Sequence, residues 1–151
     1  MRLAFYKAFQ SKGTALDKAI AVLTLGKHSH VELIFNNGKS FSISPREKKA
    51  RFADIKYHPD YWEILHITIT PEQELLIYNL AHTYHEYEYD YLGALFSATP
   101  FCIQQSNRIF CSEAITNLLA QLPQYQHLGD GCKYSPSKLY KSIANYSNFP
   151  L

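Results

Sequence analysis

Residues 28–44 read HSHVELIFNNGKSFSIS, two alternating runs around Asn36-Asn37-Gly38, and the way they pair decides what sheet this chain builds. A two-residue Asn37-Gly38 turn would pair 36 with 39 and 34 with 41, setting Phe41 and Ile43 on the face of His30 and Glu32. A three-residue loop with Gly38 left-handed pairs 35 with 39, 32 with 42 and 30 with 44. Val31, Leu33 and Phe35 then share one face with Phe41 and Ile43, and His30, Glu32, Ser42 and Ser44 share the other. A one-residue slip would bury the polar row, so the second register is expected. It puts Ser44 across from His30 and Ser42 on the diagonal, both within side-chain reach. The polar row is then either a solvated sheet face or a histidine held in place for chemistry with a group elsewhere.

On both sides of the hairpin the patterns alternate between strand and helix. RLAFYK (2–7) reads as a strand. In SKGTALDKAIAVLTLGK, Leu16, Ala19, Ile20 and Leu23 fall on one helical face, with Thr14 as cap and Gly26 as stop. PREKKAR (45–51) and Lys56 read as a solvated basic loop, and YWEILHITI (61–69) as a strand. TPEQELLIYNLAHTYHEY has Thr70 as N-cap, Pro71 first in the helix, Gln73 closing a capping box, and an apolar face of Leu76, Leu80 and Tyr84. YDYLGALF (89–96) is a short buried element. Ala114, Ile115, Leu118, Leu119 and Leu122 form a stripe that Pro123 ends, and SPSKLYKSIANY starts on Ser135. The sum is α+β: an antiparallel sheet packed against three or four helices.

The chain has 151 residues, which suits one domain over 1–151. Hydrophobic residues make up 46% and aromatics 15%, enough to exclude a disordered chain. A net charge of +2 supplies no field for nucleic acid or a membrane surface, and no run approaches the ~20 apolar residues of a membrane span. MRLAFYKAFQSKG lacks the apolar run and cleavage site of a signal peptide, so a cytoplasmic protein is expected. The three cysteines, Cys102, Cys111 and Cys132, have no CxxC spacing, so reduced thiols are expected rather than a disulfide framework.

One cysteine stands apart. FCSEAITNLL (110–119) sets Cys111 in the first turn of a helix, where unpaired amides and the helix dipole favour a thiolate and lower the thiol pKa. A neighbouring imidazolium lowers it further, and the same amides point where an oxyanion would form in acyl transfer. Glu113 is expected to point away from the sulfur. The plainer reading is a small buried hydrophobe. Cys102 and Cys132 lack a helix start. His28, His30 and Glu32 share a strand face, and His82 and His85 are three apart on a helix, but no remote pair completes either set. Neither a metal nor a cofactor is expected.

HSHVELIFNNGKSFSISP, YDYLGAL and FCSEAI, in that order, resemble the circularly permuted branch of the papain-like fold, which holds NlpC-like cell-wall peptidases and lecithin–retinol-acyltransferase-like proteins. The chain is most similar to small proteins of this branch from tailed phages and prophages, from about residue 4 to about residue 140. The resemblance implies a permuted papain-like fold with Cys111 as nucleophile and His30 as general base. The third polar group falls on Ser42 of the second hairpin strand. That position is usually His, Asn, Gln or an acid. Serine orients an imidazole weakly, so Ser44 or Glu32 is the alternative third group.

The implied chemistry is covalent acyl transfer on an amide, with a peptidoglycan peptide as first choice and an ester or lipid acyl group as second. Lys48, Lys49 and Arg51 would guide an anionic substrate, since their loop leaves the hairpin near His30. Localisation would be cytoplasmic or virion-associated. A second class of function stays open: a phage or prophage interaction protein that keeps the fold and has weak or no catalysis, which the serine at position 42 favours.

Overall fold

The computed structural model describes residues 1–97, 99 and 105–147. Seven strands form one mostly antiparallel sheet: β1 (Arg2–Lys7), β2 (His28–Ile34), β3 (Ser40–Ser44), β4 (Lys49–Ala53), β5 (Trp62–His66), β6 (Glu88–Tyr89) and β7 (Arg108–Ile109). Their order is β5-β1-β2-β3-β4-β6-β7, with only β6 and β7 parallel. The helices are α1 (Ala15–Leu23), α2 (Pro71–His82), α3 (Tyr91–Phe96), α4 (Cys111–Leu119) and α5 (Pro136–Ser147), followed or preceded by 3-10 turns at Pro123–Leu128 and Gly131–Lys133. The class is α+β, with five α-helices among the described residues rather than three or four.

The hairpin adopts the three-residue loop. Leu33 pairs with Phe41 and Ile34 with Ser40, and the Phe35 amide donates to the Lys39 carbonyl at 2.9 Å. Gly38 has φ 87°, which a side chain disfavours, and the Asn36-Asn37-Gly38 loop can therefore close without strain. The core face carries Leu3, Phe5, Val31, Leu33, Phe35, Phe41 and Ile43, packed against Ala114, Ile115, Leu118 and Leu119 of α4. The opposite face is not solvated. Every residue of β2 and β3 is buried, because the segment between β4 and β5 folds back across the polar row. Tyr57 donates its hydroxyl hydrogen to Ser40 Oγ at 2.6 Å, and Trp62 lies against Tyr6, ring centroids 5.1 Å apart.

Three local expectations need correction. Residues 49–51 of the basic run are not a loop: Lys49–Ala53 is strand β4, paired with β3 through Phe41–Phe52, Ser42–Arg51 and Ile43–Ala50. The alternation of Ala50 and Phe52 with Lys49 and Arg51 drives this. The apolar pair covers the core, and Arg51 points to the polar side. Helix α2 starts as expected, with reciprocal Thr70–Gln73 capping bonds, but its buried residues are Ile77 and Ala81, while Leu76 is 45% exposed. The aromatic Tyr78 and Tyr84 pack beside that pair, so the stripe is rotated by about one position. The predicted strand at 61–69 is shorter, Trp62–His66.

The thiols also differ from expectation. Cys132 is disulfide-bonded, Cys111 is a free, buried thiol, and Cys102 lies outside the described residues. An odd number of cysteines can hold one bridge and one free thiol, and spacing along the chain does not reveal which residues tertiary packing brings together.

Candidate active site

Two short motifs, distant in sequence, position the nucleophile candidate. The parallel β6–β7 pair matches Tyr89 with Ile109, and the Asp90 amide donates to the Ile109 carbonyl at 3.1 Å. Asp90 then caps α3 by accepting from the Gly93 amide at 2.8 Å. A Cβ at Gly93 would stand 2.6 Å from Asp90 Oδ2 and 3.1 Å from Phe110 Cδ1, so this position has no room for a side chain. Phe110 in turn is the N-cap of α4, and its side chain accepts no capping hydrogen bond. Cys111 therefore opens a helix whose first-turn amides have no side-chain cap. Glu113 is buried, and its charge bears on Tyr84.

The base candidate comes from the centre of the sheet. His30 pairs with Tyr6 of β1, and Glu32 with Ala4. Residues two apart on a strand share a face, so the two side chains meet. His30 Nε2 lies 2.9 Å from Glu32 Oε1. Arg51 grips the same carboxylate with both terminal nitrogens, at 2.7 Å to Oε1 and 3.3 Å to Oε2, and its Nε is 2.9 Å from Glu47. Cys111 bears on the same imidazole electrostatically and favours its protonated form. With Nε2 taken by Glu32, Nδ1 is the nitrogen left for the sulfur, and among the described residues it has no aligned hydrogen-bond partner.

The electrostatics follow from this enclosure. Burial by itself would push the His30 pKa down, yet the charge and hydrogen bond of Cys111, with those of Glu32, outweigh it and raise it to about 10. Burial would likewise raise Glu32, but His30 and Arg51 hold its carboxyl below the usual range. The result is a line of alternating charge from Arg51 through Glu32 to His30. A buried carboxylate kept ionised in this way can fix one ring orientation and stabilise an imidazolium.

The other expected residues fall as follows. The Ser42 hydroxyl donates to the Val31 carbonyl at 2.7 Å and does not reach the imidazole. Ser44 Oγ accepts from the Glu47 amide at 3.3 Å. The group that orients His30 is therefore Glu32, on the same strand, rather than Ser42 on the next. Lys48 and Lys49 are exposed, whereas Arg51 is spent on two carboxylates and has no free charge to offer an anion. His28 leaves the row altogether. The register shifts between Tyr6 and Lys7, which turns His28 toward Phe5, Tyr140 and Glu63. Among the described residues, no group of three His, Cys, Asp or Glu side chains is gathered to hold a metal.

Two tyrosines went unnoticed in the sequence. Tyr89 has a fully buried hydroxyl without an aligned partner, and burial, then the Cys111 charge, raises its pKa well above the ordinary value. Tyr6 has a second such hydroxyl, beside His30. Tyr6 lines a cavity of about 340 Å³ whose walls also include His30, Glu32, Trp62, Tyr61 and Arg46. Cys111 is 1% exposed and is not among the residues that line the cavity. No helix among the described residues is long and apolar enough to cross a membrane. Comparison of the chain with protein-family models, curated proteins and solved structures found no match.

Proposed function

We propose that the chain is a cysteine-dependent hydrolase or acyltransferase with Cys111 as nucleophile, His30 as general base and Glu32 as the group that orients it. One observation carries this reading: the imidazole of His30 is held at Nε2 by a buried, Arg51-anchored carboxylate, leaves Nδ1 without an aligned partner, and is under the electrostatic influence of the thiol at the uncapped start of α4. Such a set does covalent acyl transfer. His30 Nδ1 takes the Cys111 proton, and the thiolate attacks an amide or ester carbonyl. The first-turn amides of α4 stabilise the oxyanion, each good donor contributing about 3–4 kcal/mol. His30 returns its proton to the leaving amine or alcohol, and water or a second acceptor, deprotonated by His30, releases the acyl group from sulfur.

The order base, acid, nucleophile along the chain, and the antiparallel sheet with the nucleophile on a helix packed against it, support a permuted papain-like arrangement. A peptidoglycan peptide is the first substrate choice and a phage or prophage setting the first context. Both rest on the resemblance of the three motifs. The burial of Cys111 favours a second reading, a protein of this architecture that binds partners without turning over substrate.

Thiol reactivity separates the two. Alkylation by iodoacetamide at pH 6, followed at Cys111 by mass spectrometry, is expected to be at least about a hundredfold faster in the wild type than in His30→Ala. An ordinary thiol of pKa about 8.5 is only ~0.3% ionised at that pH. Equal rates in the two proteins would leave Cys111 as core packing and the enzyme reading without support.

A further inference from the structure

The cavity beside His30 carries charge that the proposed chemistry does not use. Lys12, Arg46 and Lys56 all stand on its wall, and all are exposed. Among the described residues none of the three is in an ion pair. Lys12 Nζ sits over the Tyr61 ring at 4.8 Å, and the Arg46 guanidinium over the Tyr6 ring at 5.8 Å, so aromatic faces hold two of the cations over the opening. The acids nearby all have hydrogen-bond or ion-pair partners of their own, and Asp17 and Glu32 stand on the wall themselves. Glu32 is taken by His30 and Arg51, and Glu47 by Arg51. Asp17 accepts from Thr14 and Ser29, and Asp60 lies 3.5 Å from His58. In the wall, the Tyr6 hydroxyl is buried without a partner, although a buried hydroxyl ordinarily has one. The wall thus carries four cations, Lys12, Arg46, Arg51 and Lys56, against the two carboxylates of Asp17 and Glu32, and a partly open pocket with that excess of positive charge and an orphan donor is complementary to an anion.

We propose that this cavity is an anion-binding groove beside the Cys111–His30 site and that it takes an anionic group of the substrate, a carboxylate or a phosphate, with the Tyr6 hydroxyl donating to it and Lys12, Arg46 and Lys56 supplying the field. This rests on the acyl-transfer reading for the role of the groove, and not for its ability to bind an anion. It also moves the anion-guiding role from Lys48, Lys49 and Arg51 to a different set of cations.

Trp62 is the single tryptophan of the chain and lines this cavity, so its emission reports binding without any turnover. The wild type, Lys12→Gln/Arg46→Gln/Lys56→Gln and Tyr6→Phe are titrated with succinate, with inorganic phosphate and with neutral succinamide. Succinate or phosphate is expected to give a saturable change that succinamide does not. A response to succinate alone assigns a carboxylate-bearing substrate, and one to phosphate alone assigns a phosphoryl-bearing one. Affinity should fall roughly two- to threefold for each charge removed at about 8 Å in water, thus about tenfold in the triple variant, and about three- to tenfold in Tyr6→Phe. No response to either anion, an equal response to succinamide, or unchanged affinity in the triple variant overturns the proposal. Anion binding with an inert Cys111 would remove the enzyme reading and leave the groove. A reactive Cys111 without anion selectivity would do the reverse.

Discussion

His28 and His30 lie two residues apart on one strand, both buried and each against a glutamate, yet the fold drives them in opposite directions. His28 Nε2 is 2.5 Å from Glu63, but that carboxylate also serves Lys27 and is 28% exposed. Burial wins there, and the His28 pKa is lowered. His30 meets a carboxylate that is 1% exposed and anchored by Arg51, together with the Cys111 sulfur, and its pKa rises to about 10. An acid beside a histidine does not decide its charge. The solvation of that acid and the presence of a second negative group do. The strand irregularity opposite Tyr6–Lys7 makes the contrast possible, because it sends the two rings to opposite faces of the sheet.

The strongest way to break this comparison is to exchange what each ring loses. Cys111→Ser and His30→Ala should abolish turnover of any amide substrate, a loss of at least about 10³-fold, while His28→Gln should keep Cys111 alkylation within about twofold and act only on stability. Loss of activity in His28→Gln at unchanged melting temperature would erase the distinction.

Glu32→Gln comes next. It keeps the shape but not the charge, and should lower the rate by about 10²–10⁴-fold, where Ser42→Ala lowers it by less than about twofold. The reverse ranking would restore Ser42 as the orienting group. Glu32→Ala should also destabilise by about 3–5 kcal/mol, since it leaves Arg51 and His30 without their shared partner.

The pH dependence of stability sharpens the contrast, because the two rings act with opposite sign. The His30 pKa is raised from 6.5 to about 10. Its contribution is complete below pH 6.5 and is lost as pH rises from there toward 10. The His28 pKa is lowered, so its contribution is complete above 6.5 and is lost as pH falls below that. Glu32, also lowered, adds a loss at more acid pH, below the ordinary carboxylate value of 4.5. Melting temperatures from pH 4 to 10 should form a dome. His30→Ala should flatten its alkaline limb, and His28→Gln the first part of its acid limb. An alkaline limb that persists in His30→Ala would mean that another group carries it.

The smallest expected effect is that of Ser42→Ala on stability, about 1 kcal/mol for the hydrogen bond to the Val31 carbonyl. A chemical-denaturation midpoint measures it. A cost above about 3 kcal/mol would indicate that the hydroxyl supports more than this one bond.

Much of the frame was legible in local chemistry. Thr70-Pro71-Gln73 marked the start of α2, Asn36-Asn37-Gly38 set the hairpin register, and the helix-start position of Cys111 singled out one thiol of three. Residues 45–51 read as a loop because four basic residues in seven suggest solvation, while the Ala50–Phe52 alternation that makes β4 is only two residues long. Glu32 stood in view as one alternative. What singled it out was Arg51, on a strand that the basic run concealed. Tyr6 and Tyr89 had no signal at all, since tyrosine in an aromatic-rich chain ordinarily reads as core.

The amino-acid order by itself determined the α+β alternation, the pairing of the central hairpin and the candidates His30 and Cys111, because caps, turns and periodicity act over a few neighbouring residues. Only the tertiary structure decided which acid faces the imidazole, which cations stand free around it and how deeply the sulfur is buried. Those depend on desolvation and on charges brought together from strands and helices far apart in the chain, and no local pattern encodes them.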